Sequence, residues 1–231
     1  ATAWWRDFGN AELNALVESA LLANTDLRIA ATRVAQARAL VESTDADRYP
    51  QLGLAASLQR GRDSSADPKA NVGRGALRAS WEPDIFGDKG LASLAAERDA
   101  DGAELTRQAL RVAVAGEVMT AYFDAQSLVR REAVGRSSVE TLERLIDVTH
   151  RRFQAGQINK LDIDRLEAEL GLERANIAQL KGAREVRLRQ MAVLLGRSNP
   201  PMGLTFPSND KGSSAMPALI LPIELLERRP D

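Results

Sequence analysis

Between Asp88 and Leu195 apolar residues recur at steps of three and four, and no proline interrupts them. That period belongs to helices that pack along a stripe. The run is punctuated once, at Gln154-Ala155-Gly156-Gln157-Ile158-Asn159. It therefore predicts a long outgoing helix, a tight reversal and a long return. Unbroken from Asp88 to Phe153, the outgoing arm would span about 100 Å at about 1.5 Å per residue. Helices of globular domains are usually a fraction of that length, so the arm reads as part of a coiled-coil rod.

The outgoing arm carries two apolar stripes. One runs through Leu105, Ala109, Val112, Gly116, Met119 and Phe123, the other through Val114, Val118, Ala121 or Tyr122, and Ala125. Two stripes predict neighbours on two sides, as for a stave in a ring of helices. Gly116 on the seam predicts a close helix approach. Ser137 and Glu140 fit a capping box where a helix could restart, but the spacing resumes at Val139 and Leu142 and favours a continuous helix. The return keeps a strict seam of Ile163, Leu166, Leu170, Glu173, Ile177, Leu180, Arg184, Arg187, Met191 and Leu194, with Gly196 as its stop.

Upstream, Trp4, Trp5 and Phe8 read as aromatics docking on neighbouring helices. Asn10 caps a short helix through Leu13, Leu16, Val17 and Ala20, and Asn24-Thr25-Asp26 starts a second. Its stripe is Leu27, Ala30, Val34, Ala37 and Val41, and it ends before Tyr49-Pro50. The period then drops to two. Leu52, Leu54, Ala56 and Leu58 alternate with small or polar residues, as do Leu77, Ala79 and Trp81 with Arg78, Ser80 and Glu82. A polar loop from Arg62 to Asn71 joins them. Two such strands suit either an amphipathic hairpin on a soluble core or a transmembrane β-hairpin with a polar lumen face. Arg197 to Ala218 reads as a surface connector, with a short helix starting at Pro222.

Composition agrees with a mainly α chain: aromatics make up only 4% of the 231 residues. Net charge is −1 with acids and bases interspersed, which gives no nucleic-acid signature. Without cysteine there is no thiolate site, disulfide framework or cysteine nucleophile. No apolar run approaches the ~18 residues of a membrane-spanning helix, and the chain opens abruptly on Ala1-Thr2-Ala3-Trp4-Trp5 rather than on a basic, apolar leader, as a mature or trimmed terminus would.

Catalytic chemistry is poorly supplied, and no catalytic, cofactor-binding or metal-ligating set is expected. His150 is the only histidine and sits among charged residues as a surface side chain. Asp162, Asp164, Glu167 and Glu169 suit the positive N-terminus of the return helix rather than a metal. No phosphate loop, His-x-x-x-His or nucleophile elbow occurs.

With these landmarks placed, the chain resembles the TolC-like outer-membrane efflux factors, in the lipoprotein branch serving RND pumps. The matching residues begin with Trp5-Arg6-Asp7-Phe8, the run from Ala20 to Arg28, and Tyr49-Pro50. They continue with Ser80-Trp81-Glu82-Pro83-Asp84-Ile85-Phe86-Gly87, Arg152-Phe153-Gln154-Ala155-Gly156, Leu161-Asp162-Ile163 and Leu194-Leu195-Gly196. Leu221-Pro222 and the run from Leu225 to Asp231 complete the series. Each motif is weak alone; their order over nearly the whole chain is specific.

The resemblance implies a homotrimeric tunnel, with a β-barrel in the outer membrane continued by a periplasmic barrel of helices, built from two tandem repeats per chain. This chain corresponds to the first repeat. Residues 1–48 would be N-terminal helices of the periplasmic part, 49–87 the barrel hairpin, 88–195 the long helical hairpin and 196–231 a linker toward a second repeat. Leu52, Leu54, Leu58, Leu77 and Trp81 would face lipid, and Arg78, Ser80 and Glu82 the channel. The tip at 154–160, through Arg152, Ala155, Gly156 and Gln157, would meet a periplasmic adaptor protein and the inner-membrane RND pump.

The implied function is passive export of drugs or other small toxic compounds. The competing reading is a periplasmic adaptor, but the lipoyl-like β-halves that flank an adaptor's hairpin do not occur here. Three features depart from the pattern. The chain stops where a second repeat would begin, which leaves a trimer with half the strands its barrel needs and suggests a fragment. The acylated N-terminal cysteine would lie upstream of Ala1. Pro83 and Asp164 replace residues that are usually apolar.

Overall fold

The computed structural model describes residues 3–61 and 70–206. The loop expected from Arg62 lies largely outside them, as does everything expected beyond Phe206, including the helix at Pro222 and the motif from Leu225 to Asp231. A 3-10 helix at Trp4–Phe8 is followed by α1 (Ala11–Ala23), α2 (Thr25–Ala46), β1 (Gln51–Gly61), β2 (Ala70–Ser80), α3 (Asp88–Gln154) and α4 (Lys160–Leu194). The fold is mainly α with one antiparallel two-stranded ribbon. Among the described residues it divides into two compact units, residues 3–29 with 108–206, and residues 30–107.

The first unit holds the core. The apolar stripe of α1, Leu13, Leu16, Val17 and Ala20, packs with Val114, Val118, Tyr122 and Ala125 of α3 and with Met191 and Leu195 at the end of α4. Tyr122 is fully buried and polar at its tip. Its hydroxyl donates to Glu12 Oε2 at 2.8 Å and accepts from Asn10 Nδ2 at 3.0 Å. Asn10 also caps α1, accepting from the Leu13 amide. Asn24 serves both sides of the break after α1. Its Oδ1 accepts from the amides of Asp26 and Leu27, while its Nδ2 donates to the Leu194 carbonyl at 3.0 Å.

α3 is continuous over 67 residues, so the Ser137–Glu140 capping box is not used. Of its two predicted stripes, the one through Val114, Val118, Tyr122 and Ala125 is fully covered. Along the other, Met119 is buried but Leu105 and Val112 are 41% and 45% exposed. Gly116 makes no close approach, because a Cβ added there would meet nothing within 4 Å. The close approach lies at Gly135, where a Cβ would come within 2.9 Å of Glu173 Oε1 and 3.0 Å of Ile177 Cγ1.

Every position of the α4 seam from Ile163 to Leu194 is buried or half-buried. Its polar interruptions are used. Arg184 meets Glu132 at 2.9 Å and Arg187 meets Asp124 at 3.2 Å. Glu132 is almost fully buried and also takes Arg136 at 2.5 Å. The segment after α4 is not all surface connector. Phe206 is buried with its ring centroid 5.3 Å from that of Tyr122, and the Thr205 amide donates to Glu12 Oε1.

The second unit contains the ribbon. The ladder runs from Gln51 opposite Ser80 to Gly61 opposite Ala70, so β2 starts within the expected loop and ends before Trp81. Continuing the register would set Trp81 opposite Pro50, which has no N–H to donate. Trp81 and Glu82, expected as strand positions, therefore leave the ladder. Trp81 Nε1 donates instead to the Arg48 carbonyl at 3.1 Å.

Candidate functional site

Two surfaces carry the features that the sequence singled out, and each is built from local backbone rules. The first is the reversal between α3 and α4. Gly156 has φ +72°, a left-handed conformation that L side chains adopt at a cost. The Gln157 amide donates to the Arg152 carbonyl at 3.0 Å and the Gly156 amide to the Phe153 carbonyl at 2.8 Å. This nested pair closes the helix as a Schellman cap. The Asn159 side chain then accepts from the Leu161 amide to start α4. Arg152, Ala155, Gly156 and Gln157 are thus drawn into one turn, and all four are exposed.

The same device ends α4. Gly196 has φ +63°, and Arg197 donates to the Ala192 carbonyl at 2.9 Å. Here the glycine is packed: a Cβ would stand 2.4 Å from the Ala23 carbonyl oxygen. Sequence reasoning identified the stop but missed this contact; nothing in a lone Leu-Gly pair distinguishes a free cap from a packed one.

The second surface is the ribbon. Leu52, Leu54, Ala56 and Leu58 share a face with Ala79, Leu77, Gly75 and Gly73, while Gln51, Gly53, Ser57 and Gln59 share the other with Ser80, Arg78, Arg74 and Val72. Among the described residues neither face is covered: Leu52, Leu54, Leu58 and Leu77 are 75%, 83%, 84% and 76% exposed. A lone hairpin with an open apolar face is marginal in water. Each strand has 11 residues, about 36 Å at ~3.3 Å per residue, or ~25 Å once tilted by ~45°. That is the height of the apolar band of an outer-membrane barrel.

The base of the ribbon is fixed by charge. Asp84 accepts from the amides of Gly90 at 2.9 Å and Lys89 at 3.2 Å, at the start of α3. These bonds, that to Gly90 foremost, hold the Asp84 carboxyl below its ordinary value of 3.8. Lys89 Nζ donates to the Glu82 carbonyl at 2.8 Å and pairs with Glu82 Oε2 at 3.3 Å. Of the three residues expected to face a channel, Arg78 and Ser80 share one ribbon face and Glu82 belongs to this base.

His150 is half-exposed, 3.7 Å from Glu167 Oε1. Among the described residues no cluster of His, Asp or Glu could hold a metal ion, and no helix is long and apolar enough to cross a membrane.

A family profile described as outer membrane efflux protein matches residues 16–197. The chain belongs to that family. Its members are membrane export proteins rather than enzymes, and membership places the chain at the outer membrane. It is 28% identical to the pyoverdine export outer membrane protein OpmQ of Pseudomonas aeruginosa, over 99% of this chain and 50% of that protein. It is likewise 28% identical to the cation efflux system protein CusC of Escherichia coli, over 99% of this chain and 50% of CusC. The solved structure of the outer-membrane channel OprN matches with a TM-score of 0.77 at 29% identity, over all of this chain and 53% of OprN. A CusC structure gives 0.81 at 26% identity, over all of this chain and 54% of CusC. The chain thus spans about half the length of the proteins it matches.

Proposed function

We propose that this chain is the first repeat of the outer-membrane duct in a tripartite RND-type efflux system, and exports drugs or other small toxic compounds without catalysis. The observation that carries the reading is the ribbon. One face is apolar and open, the other polar, and the tilted strand length fits the hydrocarbon band. A soluble protein would cover that apolar face, whereas a barrel wall turns it to lipid. In this reading Leu52, Leu54, Leu58 and Leu77 face lipid, with Trp81 at the interface. Arg78 and Ser80 face the lumen, and Glu82 lies at its edge. The trimer completes its barrel with strands from the second half of a protein about twice this length. The lipid anchor of the lipoprotein branch lies upstream of Ala1 in the full-length protein, a reading supported by the name of a Salmonella typhimurium relative, probable outer membrane lipoprotein SilC.

The exposed turn at Arg152, Ala155, Gly156 and Gln157 is the docking tip for the adaptor and, through it, the pump. Disrupting the full-length gene tests the assignment. Susceptibility to RND-pump substrates should rise and return to normal on complementation. Unchanged efflux of every such substrate would refute it.

A further inference from the structure

Charge on the ribbon is of one sign, with Arg60, opposite Asn71, at the far end of the leucine-bearing face. The 22 described ladder residues include Arg60, Arg74 and Arg78 and no Asp or Glu. Arg74 and Arg78 lie on the polar face, four residues apart on one strand, about 13 Å at ~3.3 Å per residue. Their cross-strand neighbours are Ser57 and Gly53, which offer no countercharge. Both arginines are exposed, and among the described residues neither has an ion-pair partner. The acids at the ribbon base are engaged elsewhere. Asp47 accepts from Gln51 Nε2, Glu82 pairs with Lys89, and Asp84 caps α3. In the sequence from 62 to 69 the formal charges cancel, with Arg62 and Lys69 against Asp63 and Asp67.

We infer that Arg74 and Arg78 form a cationic band on the lumen face that favours anionic solutes over cationic ones. The inference rests on the proposed duct, since it needs the polar face to line water. In a trimer the pair becomes two tiers of three guanidinium groups around one lumen. Rings of like charge set ion preference in pores, and low-dielectric walls focus their field. The preference comes from guanidinium groups, which carry a fixed, delocalised charge. It is sensitive to salt, because the screening length falls from ~30 Å at 0.01 M to ~3 Å at 1 M.

The test uses the full-length protein in planar bilayers. The reversal potential under a tenfold KCl gradient is read at low and at high ionic strength. Arg74→Gln with Arg78→Gln should lower the anion-to-cation permeability ratio by at least about twofold at low salt, with a smaller change at high salt. Arg74→Lys with Arg78→Lys should preserve it. If the Gln variant inserts poorly, Ser57→Glu, which sets a carboxylate opposite Arg74, should lower the ratio instead. Wild-type channels that conduct with a ratio unmoved by these changes would overturn the inference and leave the duct intact. Wild-type protein that never conducts would instead defeat the duct reading itself.

Discussion

Gly156 and Gly196 share a backbone conformation but differ in what surrounds them, and substitutions should separate the two. At Gly156 a Cβ has open space, so Gly156→Ala meets only the left-handed strain, about 1 kcal/mol. At Gly196 the same strain is joined by a collision with the Ala23 carbonyl. Gly196→Ala should therefore melt well below Gly156→Ala in parallel thermal unfolding. Asparagine at 156 should recover part of the smaller loss, because it tolerates that conformation. A third residue-scale prediction concerns the buried hydroxyl of Tyr122. Tyr122→Phe leaves Asn10 Nδ2 without its acceptor and should cost about 1–3 kcal/mol by denaturant titration. The sequence made the caps legible, since Gly after an amphipathic run has a local cause. It did not make helix contacts legible. Gly116 and Gly135 both sit inside helical periodicity, and only three-dimensional packing decides that Gly135 meets Ile177 while Gly116 faces open space.

At the scale of elements, the two faces of the ribbon should respond oppositely to charge. Leu54→Arg puts a cation on the face proposed to meet lipid and should weaken membrane insertion by about 2–4 kcal/mol near the midplane, whereas Ser57→Arg on the other face should be tolerated. Yields of membrane-inserted full-length protein would report both. The start of α3 carries a pH dependence of known sign. Asp84 has its carboxyl held below 3.8, so its contribution is complete above that value and lost as pH falls through the lower, folded value. Asp84→Asn should flatten this portion of the acid unfolding curve and lower stability at neutral pH, where the carboxylate's contribution is complete. The alternation of β1 and β2 was legible because one face is apolar; their limits were not. β2 begins inside a stretch that reads as polar loop, and it stops where Pro50 ends the ladder. That limit follows from pairing register, which no single strand encodes.

For the molecule as a whole, the family was legible because short motifs from Trp5 to Asp231 keep their order, and the long helical hairpin because the seam of α4 is unusually regular. Even its polar members, Arg184 and Arg187, find carboxylates on α3. What stayed hidden were contacts between distant segments, such as Phe206 on Tyr122 or Asn24 on Leu194. Their partners are separated by scores of residues, and local pattern carries no trace of them. The proposed docking tip is best probed beside the glycine rather than at it. Ala155→Trp should reduce cross-linking to the adaptor severalfold with an unchanged melting temperature, whereas undiminished cross-linking would remove the turn from the contact.

The closure of that turn uses backbone groups alone. Carbonyls of Arg152 and Phe153 receive the amides of Gln157 and Gly156, and no side chain of Arg152, Ala155 or Gln157 forms a hydrogen bond or ion pair among the described residues. Shape and chemical character are therefore set separately at the tip. Three of its four residues can change in chemistry without altering the closure, while one glycine keeps the helices turning back at the same point.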